Sequence, residues 1–205
     1  MIKTLRLTLL VLFAGTLSTS CGTTPLRQST AFTIALKGYS YYAKQGIITN
    51  DTIIIVDYDL PSTAERMFVY DIGNDTILHS SLIAHGKNTG QNRALSFSNE
   101  PGSKKSSVGF FKTAEQYSGK HGLSLRLDGL EQGVNSHARS RAIVIHSAAY
   151  VSEDFIRTNK RLGRSYGCPA LPFENYEEVF DLISNRQLLF IYSSQTNYQP
   201  PYQAK

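Results

Sequence analysis

The stretch RAIVIH, residues 141–146, contains four consecutive apolar residues, 142–145, which are followed directly by a histidine. Unbroken aliphatic residues over such a length are typical of a strand that is buried on both faces. We therefore predict a strand over residues 142–145, inside a sheet. His146 then stands at the strand end, where the sheet fixes its backbone and its side chain can face a neighbouring turn.

Further strands are predicted on both sides of this run. A β-branched stretch, TIIIVDYDL, covers residues 52–60, and Gly73-Asn74-Asp75 marks a hairpin between two more strands. Shorter strands are expected at residues 108–113 and 123–127. The run QLLFIYS, residues 187–193, closes the set.

Helices are predicted near both ends of the chain. Ser29 or Thr30 can cap a first helix, whose apolar residues recur three and four apart: Phe32, Leu36, Tyr39 and Ala43. A short helical excursion is expected over residues 152–160, and an amphipathic helix over residues 176–183. Residues 86–107 are polar and predict a long loop, which in a compact domain is usually either functional or disordered. The pattern predicts one α+β, mainly β domain with two flanking helices and no repeat or second linker.

The N-terminus has the pattern of a secretory signal. Lys3 and Arg6 precede an apolar run over residues 7–15, which is shorter than the ~20 residues of a spanning helix. Cys21 stands where cleavage is expected, as in a bacterial lipoprotein signal. An ordinary cleaved signal with an incidental cysteine is the alternative. We predict a signal peptide over residues 1–20, a tether over 21–28 and a catalytic domain over 29–205.

Charge and composition limit the classes of partner that this chain could bind. The formal charge is +5, and loss of Lys3 and Arg6 with the signal leaves +3. No basic run with interleaved aromatics is present, which argues against nucleic acid as a partner. We expect no metal site, because no Cys or His pair has ligand spacing.

The second cysteine lies in GRSYGCPAL, residues 163–171. With Cys21 lipidated, Cys168 is the one remaining thiol of an exported chain, so it is either a buried apolar residue or a reactive group. A cysteine nucleophile needs a base or backbone amides to lower its pKa, and His146 is the candidate base. Structural roles for His146 and for Cys168 remain the alternatives.

The residues around Cys168 suggest how a substrate would be held. Because Gly167 lacks a side chain, the backbone N–H groups around Tyr166, Gly167 and Cys168 can converge into an oxyanion hole. Arg164 and Ser165 supply a cation and a hydroxyl that could bind a substrate carboxylate. His121, on a loop, is a further substrate-binding candidate, with a plain turn residue as the alternative.

These motifs resemble those of the YkuD-like murein L,D-transpeptidases. The segments IHSAAYVSEDF and RLGRSYGCPAL are similar to the branch of that family with an Arg-Ser-aromatic-Gly-Cys-Pro element. Similar segments include AHGKNTG, LSFSNEPGSKKSSVGFF and YSGKHGLSLRLDGLEQGVNSHARSRAIVIH. Together they extend the resemblance over residues 32–192.

The resemblance implies an L,D-transpeptidase-like β-sandwich in which Cys168 is the nucleophile and His146 the base. The thiol would attack the bond before the terminal D-alanine of a peptidoglycan stem and form a thioester. An amine would then take the acyl group as a transpeptidase acceptor, or water would take it in an L,D-carboxypeptidase reaction. It implies no cofactor, and with the signal it implies a lipid-anchored protein of the cell envelope that faces the periplasm.

Two residues depart from the family pattern. Tyr166 occupies the place where the main family has a second histidine. Ser147 follows the base where glycine is common, although its backbone carbonyl can also orient the imidazole. The alternative function is therefore a non-catalytic murein-binding envelope lipoprotein that retains the fold. A papain-like peptidase fits less well, because in that class the cysteine precedes the histidine.

Overall fold

The fold is built on one eight-stranded mixed sheet. The computed structural model describes residues 26–119, 122–184 and 186–203. In chain order, the strands are β1 (Thr52–Asp57), β2 (Met67–Asp71), β3 (Thr76–Ser81), β4 (Gly109–Gly119), β5 (Gly122–Gly129), β6 (Val144–Ser147), β7 (Ala170–Leu171) and β8 (Leu188–Tyr192). Their order across the sheet is β3-β2-β1-β8-β4-β5-β6-β7.

Within the described residues, three α-helices flank the sheet: α1 (Thr30–Lys44), α2 (Glu153–Asn159) and α3 (Tyr176–Ile183). Single 3-10 turns cover Leu26–Gln28 and Pro201–Gln203. The α+β, mainly β class with flanking helices is confirmed. Leu26, within the segment predicted as a tether, is buried against the α1 side of the sheet.

The central strand β1 shows why the sheet is covered on both faces. Ile53 and Ile55 are fully buried in the cluster under α1, whereas Ile54 and Val56 are fully buried in the cluster on the opposite face. Successive side chains of a strand point to opposite faces, so a continuous apolar run requires two covered faces. The cluster opposite α1 is the one that reaches the cysteine, since Cys168 packs against it.

Helix α1 begins where the sequence predicts, but it buries a different face. The Ser29 hydroxyl accepts the Phe32 N–H at 3.1 Å and caps the helix. Small residues such as Ala35 and Gly38 face the sheet, and a Cβ on Gly38 would overlap the ring of Phe110. The buried face also carries Phe32 and Tyr42, whereas three residues expected inside are only half-buried: Leu36, Tyr39 and Ala43.

The strand that ends at His146 starts later than predicted. Ala142 has φ +54°, a left-handed conformation that interrupts the extended chain, so β6 begins at Val144 and continues to Ser147. It pairs antiparallel with β5 and parallel with β7. Strand β7 has two residues, too few to leave a periodic signal in the sequence.

The hairpin at Gly73-Asn74-Asp75 is confirmed between β2 and β3. The long loop is also confirmed, because no helix or strand lies within residues 86–107, all of which are described. Isolated bridges hold the loop, including one between Gly86 and Ser165. That bridge fixes the start of the loop against the cysteine turn.

Two predicted residues lie outside the described part of the chain. These are Cys21, the expected lipidation site, and His121, the expected substrate-binding residue. Within the described ranges, no helix has the length and apolarity that crossing a membrane requires.

Candidate active site

One cavity brings most of the predicted site residues together. It has a volume of about 420 Å³ and lies beside β6, which contributes Val144 and His146 to its wall. Five of its lining residues were predicted from the sequence: His146, Arg164, Ser165, Tyr166 and Cys168. The remaining wall comes from residues 141–144, from β4 and β5, and from Tyr150.

The register of the sheet explains why Cys168 faces β6. Ala170 in β7 is paired with His146 in β6, and the two strands run parallel. Cys168, two residues before Ala170, therefore stands opposite Val144, beyond the point where the pairing ends. The thiol occupies the edge of β6 where a longer β7 would have continued the ladder.

The thiol is half-buried and has backbone partners. Its Sγ lies 3.8 Å from the carbonyl oxygen of Ala142, to which the S–H donates. Burial raises the pKa of Cys168, whereas the N–H of Val144 and the nearby Arg141 guanidinium lower it. The resting group is therefore a thiol, and its ionisation requires a base.

His146 is buried, and its ring is oriented by the backbone. Its Nδ1 lies 3.0 Å from the carbonyl oxygen of Ser147. Because a carbonyl oxygen can only accept a hydrogen bond, Nδ1 carries the proton and Nε2 has the lone pair. The backbone N–H of His146 also reaches the Pro169 carbonyl at 3.4 Å. An imidazole in this tautomer can accept a proton from a thiol in the same cavity.

The turn before the cysteine is held by Ser165. The Ser165 hydroxyl donates to the carbonyl of Cys168 at 2.6 Å and accepts the N–H of Gly167 at 3.0 Å. The Gly167 N–H is therefore engaged within the turn, while the N–H of Cys168 lies beside its own sulfur. Of the backbone groups expected to form an oxyanion hole, the Cys168 N–H is the one adjacent to the thiol.

Gly167 is required by both conformation and space. Its φ is +130°, which side chains of L-residues rarely adopt. A Cβ at this position would lie 3.0 Å from the carbonyl oxygen of Lys105 and 3.5 Å from an Arg141 nitrogen. The turn is thus packed directly against the long polar loop.

Ser106, which sequence reasoning did not single out, joins the loop to this turn. Its hydroxyl donates to the Gly167 carbonyl at 3.0 Å and accepts the Gly86 N–H at 3.0 Å. The side chain is buried. One serine among several in a polar loop carries no signal of such a role in the sequence.

A buried histidine outside the cavity braces the turn from behind. The carbonyl of His85 accepts the Ser165 N–H at 3.0 Å. Its Nδ1 lies 2.9 Å from a nitrogen of the fully buried Arg66. Burial lowers the pKa of His85 to about 3, so the ring is neutral and accepts the hydrogen bond from Arg66.

Arg141 is the functional candidate that the sequence reasoning missed. Its guanidinium donates to the carbonyls of Ser98 and Lys105, both at 2.7 Å, and to the Ser107 hydroxyl at 2.6 Å. Within the described residues it takes part in no ion pair. Its direct hydrogen-bond partners are neutral, Glu100 interacts with it electrostatically, and it acts on the thiol of Cys168. Arg141 precedes the apolar run and looks like an ordinary charged flank.

Arg164 lies in the cavity wall, but its side chain also holds the loop. One of its terminal nitrogens donates to the carbonyls of Lys87 at 3.0 Å and Gly90 at 2.9 Å. Tyr166 is exposed at the mouth of the cavity, with Lys87 and Lys104 near its ring.

Among the described residues, no group of three His, Cys, Asp or Glu side chains could hold a metal.

Fold and site together define a class of protein: a mainly β domain that presents a cysteine and an oriented histidine to one cavity. The model of the L,D-transpeptidase catalytic domain matches residues 24–192. The chain therefore belongs to the L,D-transpeptidase catalytic domain family, whose members are acyltransferases that act on peptidoglycan. The family predicted from the sequence is confirmed.

Solved L,D-transpeptidases are also similar to this chain. The enzyme from Mycobacterium smegmatis is 13% identical, with a TM-score of 0.42, 70% of this chain covered and 59% of that one. For L,D-transpeptidase 3 from Mycobacterium tuberculosis, in complex with a faropenem-derived adduct, the values are 11%, 0.44, 70% and 60%. For residues 123–326 of the Xylanimonas cellulosilytica enzyme, they are 11%, 0.38, 79% and 77%.

The chain thus spans about three fifths of the length of the two mycobacterial structures. A comparison with curated protein sequences found no match. The family assignment rests on the family model.

Proposed function

We propose that this protein is a cysteine-dependent murein L,D-transpeptidase. The observation that supports it most directly is one cavity that contains the Cys168 thiol and a His146 ring whose Nδ1 is bonded to the Ser147 carbonyl. Family membership supplies the reaction class. The proposed substrate is a peptidoglycan stem that ends in D-alanine.

In the first half-reaction, Nε2 of His146 takes the proton of the Cys168 thiol, and Sγ attacks the carbonyl carbon of the third stem residue. The charge that develops on the carbonyl oxygen meets the backbone N–H of Cys168. The C–N bond then breaks, the imidazolium gives its proton to the departing amine, and D-alanine leaves. The product is a thioester on Cys168.

In the second half-reaction, the amine of an acceptor stem attacks the thioester. His146 takes the amine proton, the C–S bond breaks, and the proton returns to the thiolate. Water in place of the amine would give an L,D-carboxypeptidase. Because burial raises the pKa of Cys168, the general base is needed in each cycle.

We also propose that Cys21 carries a lipid and holds the domain on a membrane of the cell envelope, facing the periplasm. The support is the sequence pattern of residues 1–21. In cells, the Cys21→Ala variant should lose its membrane association. Unchanged association would contradict lipidation.

The test of the enzymatic proposal compares the wild type with Cys168→Ala on a disaccharide tetrapeptide, by mass spectrometry. We expect D-alanine and cross-linked dimers from the wild type and neither from the variant. D-Alanine without dimers would identify the carboxypeptidase. Absence of both products, together with no carbapenem adduct on the wild-type thiol, would favour the non-catalytic murein-binding alternative.

A further inference from the structure

At the mouth of the cavity, the ammonium groups of two lysines lie near the aromatic ring of Tyr166. The Tyr166 side chain is 69% exposed. The Nζ of Lys87 lies 5.0 Å from its ring centroid, and the Nζ of Lys104 lies 5.3 Å from it. Both distances are within the range of cation–π attraction. We call Lys87, Tyr166 and Lys104 the mouth cluster.

Backbone contacts, rather than the side chains themselves, bring these three residues together. The Lys87 N–H donates to the Ser165 carbonyl at 2.8 Å, and the Asn88 N–H donates to the Lys104 carbonyl at 3.2 Å. A Cβ on Gly86 would lie 2.7 Å from the Lys104 carbonyl oxygen and 2.9 Å from the Gly167 Cα. The two lysines are therefore mounted on segments packed against the cysteine turn.

The backbone of Lys104 has a conformation that costs more conformational free energy for lysine than for glycine. Its φ is +56°, a left-handed conformation in which glycine or asparagine is the usual residue. Residues kept in such conformations cluster at functional sites. The left-handed conformation of Lys104 is therefore consistent with a functional position for its ammonium group.

Neither lysine of the mouth cluster has an acidic partner. Within the described ranges, Lys87 and Lys104 form no ion pair. The neighbouring cations Arg141 and Arg164 are bonded to carbonyl and hydroxyl groups. The mouth thus carries two lysines with no ion-pair partner among the described residues, which suits an anionic ligand.

We propose that the mouth cluster binds a free carboxylate at the C-terminal end of the donor stem peptide. Tyr166 and Cys168 line the same cavity and are two residues apart, so a group held at the mouth lies next to the bond under attack. A stem carries two carboxylates there, on the terminal D-alanine and on the side chain of a diaminopimelate third residue. The proposal rests on the proposed function for the identity of the substrate.

The experiment measures binding, so that it is independent of turnover. The full-length chain carries Cys168→Ala, and a labelled disaccharide tetrapeptide is titrated to obtain Kd. A second protein adds Lys87→Gln and Lys104→Gln, and a control protein adds Lys37→Gln on the exposed face of α1. Three ligands are compared: the tetrapeptide with both carboxylates free, with the third-residue carboxamide, and with the C-terminal carboxamide.

We expect the double lysine variant to bind the free tetrapeptide about three- to tenfold more weakly, because each exposed charge pair contributes modestly. Lys37→Gln should leave Kd unchanged. The lysine penalty should disappear with one of the two carboxamides, and that ligand identifies the carboxylate. Binding to the parent chain should also weaken as salt rises, and less so in the double variant.

Equal penalties on all three ligands, no penalty on any of them, or no saturable binding would overturn the proposal. The proposed function fails separately, when the wild-type chain transfers no acyl group. If the lysine penalty disappears with one carboxamide ligand but the wild-type chain releases no D-alanine, the proposal for the mouth cluster stands and the proposed enzymatic function is wrong.

Discussion

Cys168, which is half-buried, and Glu131, which is buried, are two ionisable groups in different regions of the molecule, and they are surrounded differently. Glu131 lies near α1, where its carboxylate accepts the Phe110 N–H and the Tyr198 hydroxyl, the latter at 2.9 and 3.0 Å. Burial raises its pKa to about 7 in spite of these neutral donors. Burial also raises the pKa of Cys168, but there Arg141 opposes the shift.

The difference separates a structural site from a chemical one. Around Glu131, the donors tie the C-terminal segment to β4. Around Cys168, the Arg141 guanidinium and the His146 imidazole line a cavity of about 420 Å³ together with the thiol. Burial alone therefore does not distinguish the two groups, whereas the cation and the imidazole beside Cys168 do.

The largest effect is expected from removing the base. His146→Ala should lower the rate of D-alanine release roughly 10²- to 10⁴-fold, because the thiol loses its proton acceptor. The exposed His137 provides the matched control, and His137→Ala should retain the wild-type rate. A His146→Ala protein that is folded and keeps most of its rate would contradict the role.

Glu131 should contribute to the pH dependence of stability between about pH 4.5 and 7. In that window the unfolded chain has lost the Glu131 proton and the folded chain retains it, so the contribution of Glu131 to the free energy of unfolding falls as pH rises. Buried His85, whose pKa is lowered to about 3, contributes in the opposite direction. The fall attributable to Glu131 is about 3 kcal/mol. Urea unfolding at pH 4.5 and 7.5 should show that Glu131→Gln removes this part of the slope.

The exposed Glu178 serves as the comparison, and Glu178→Gln should leave the slope of the wild type. An identical slope in Glu131→Gln would show that the buried carboxyl does not retain its proton in the folded state.

The cysteine turn can be tested with two glycines that both have positive φ. Gly167→Ala introduces a Cβ near the Lys105 carbonyl, and we expect a loss of about 2 kcal/mol in the free energy of unfolding. Gly133, with φ +76° and nothing within 4 Å of the added Cβ, should lose about 1 kcal/mol on the same change. Equal losses in denaturant unfolding would mean that the packing around Gly167 is not tight.

The smallest effect concerns the cation beside the thiol. Arg141→Gln should raise the pKa of Cys168, so alkylation by iodoacetamide at neutral pH should slow about tenfold. Arg139 is the control, because it is exposed and pairs with Glu115 at 2.8 Å and with Asp128. If Arg141→Gln leaves the pH profile of alkylation unchanged, Arg141 does not lower the pKa of Cys168, and the contrast with Glu131 is wrong.

Features that depend on local pattern could be predicted from the order of the residues. Apolar runs predicted most strands, and the turn residues around Asn74 predicted the hairpin, because these signals repeat over a few neighbouring residues. The motif around Cys168 and the strand end at His146 predicted the family. The oxyanion, orienting and substrate-binding roles of Tyr166, Gly167, Ser147, Arg164, Ser165 and His121 stay predictions.

The distant residues that surround the thiol could not be predicted in this way, because the folding of the chain brings them together. Arg141 reaches it because β6 starts late, after the left-handed Ala142, and Ser106 reaches the turn because the long loop folds back on Gly86. Lys87 and Lys104 meet at Tyr166 for the same reason. Such contacts depend on strand register and on the path of a loop without periodicity, and neither is encoded in the spacing of neighbouring residues.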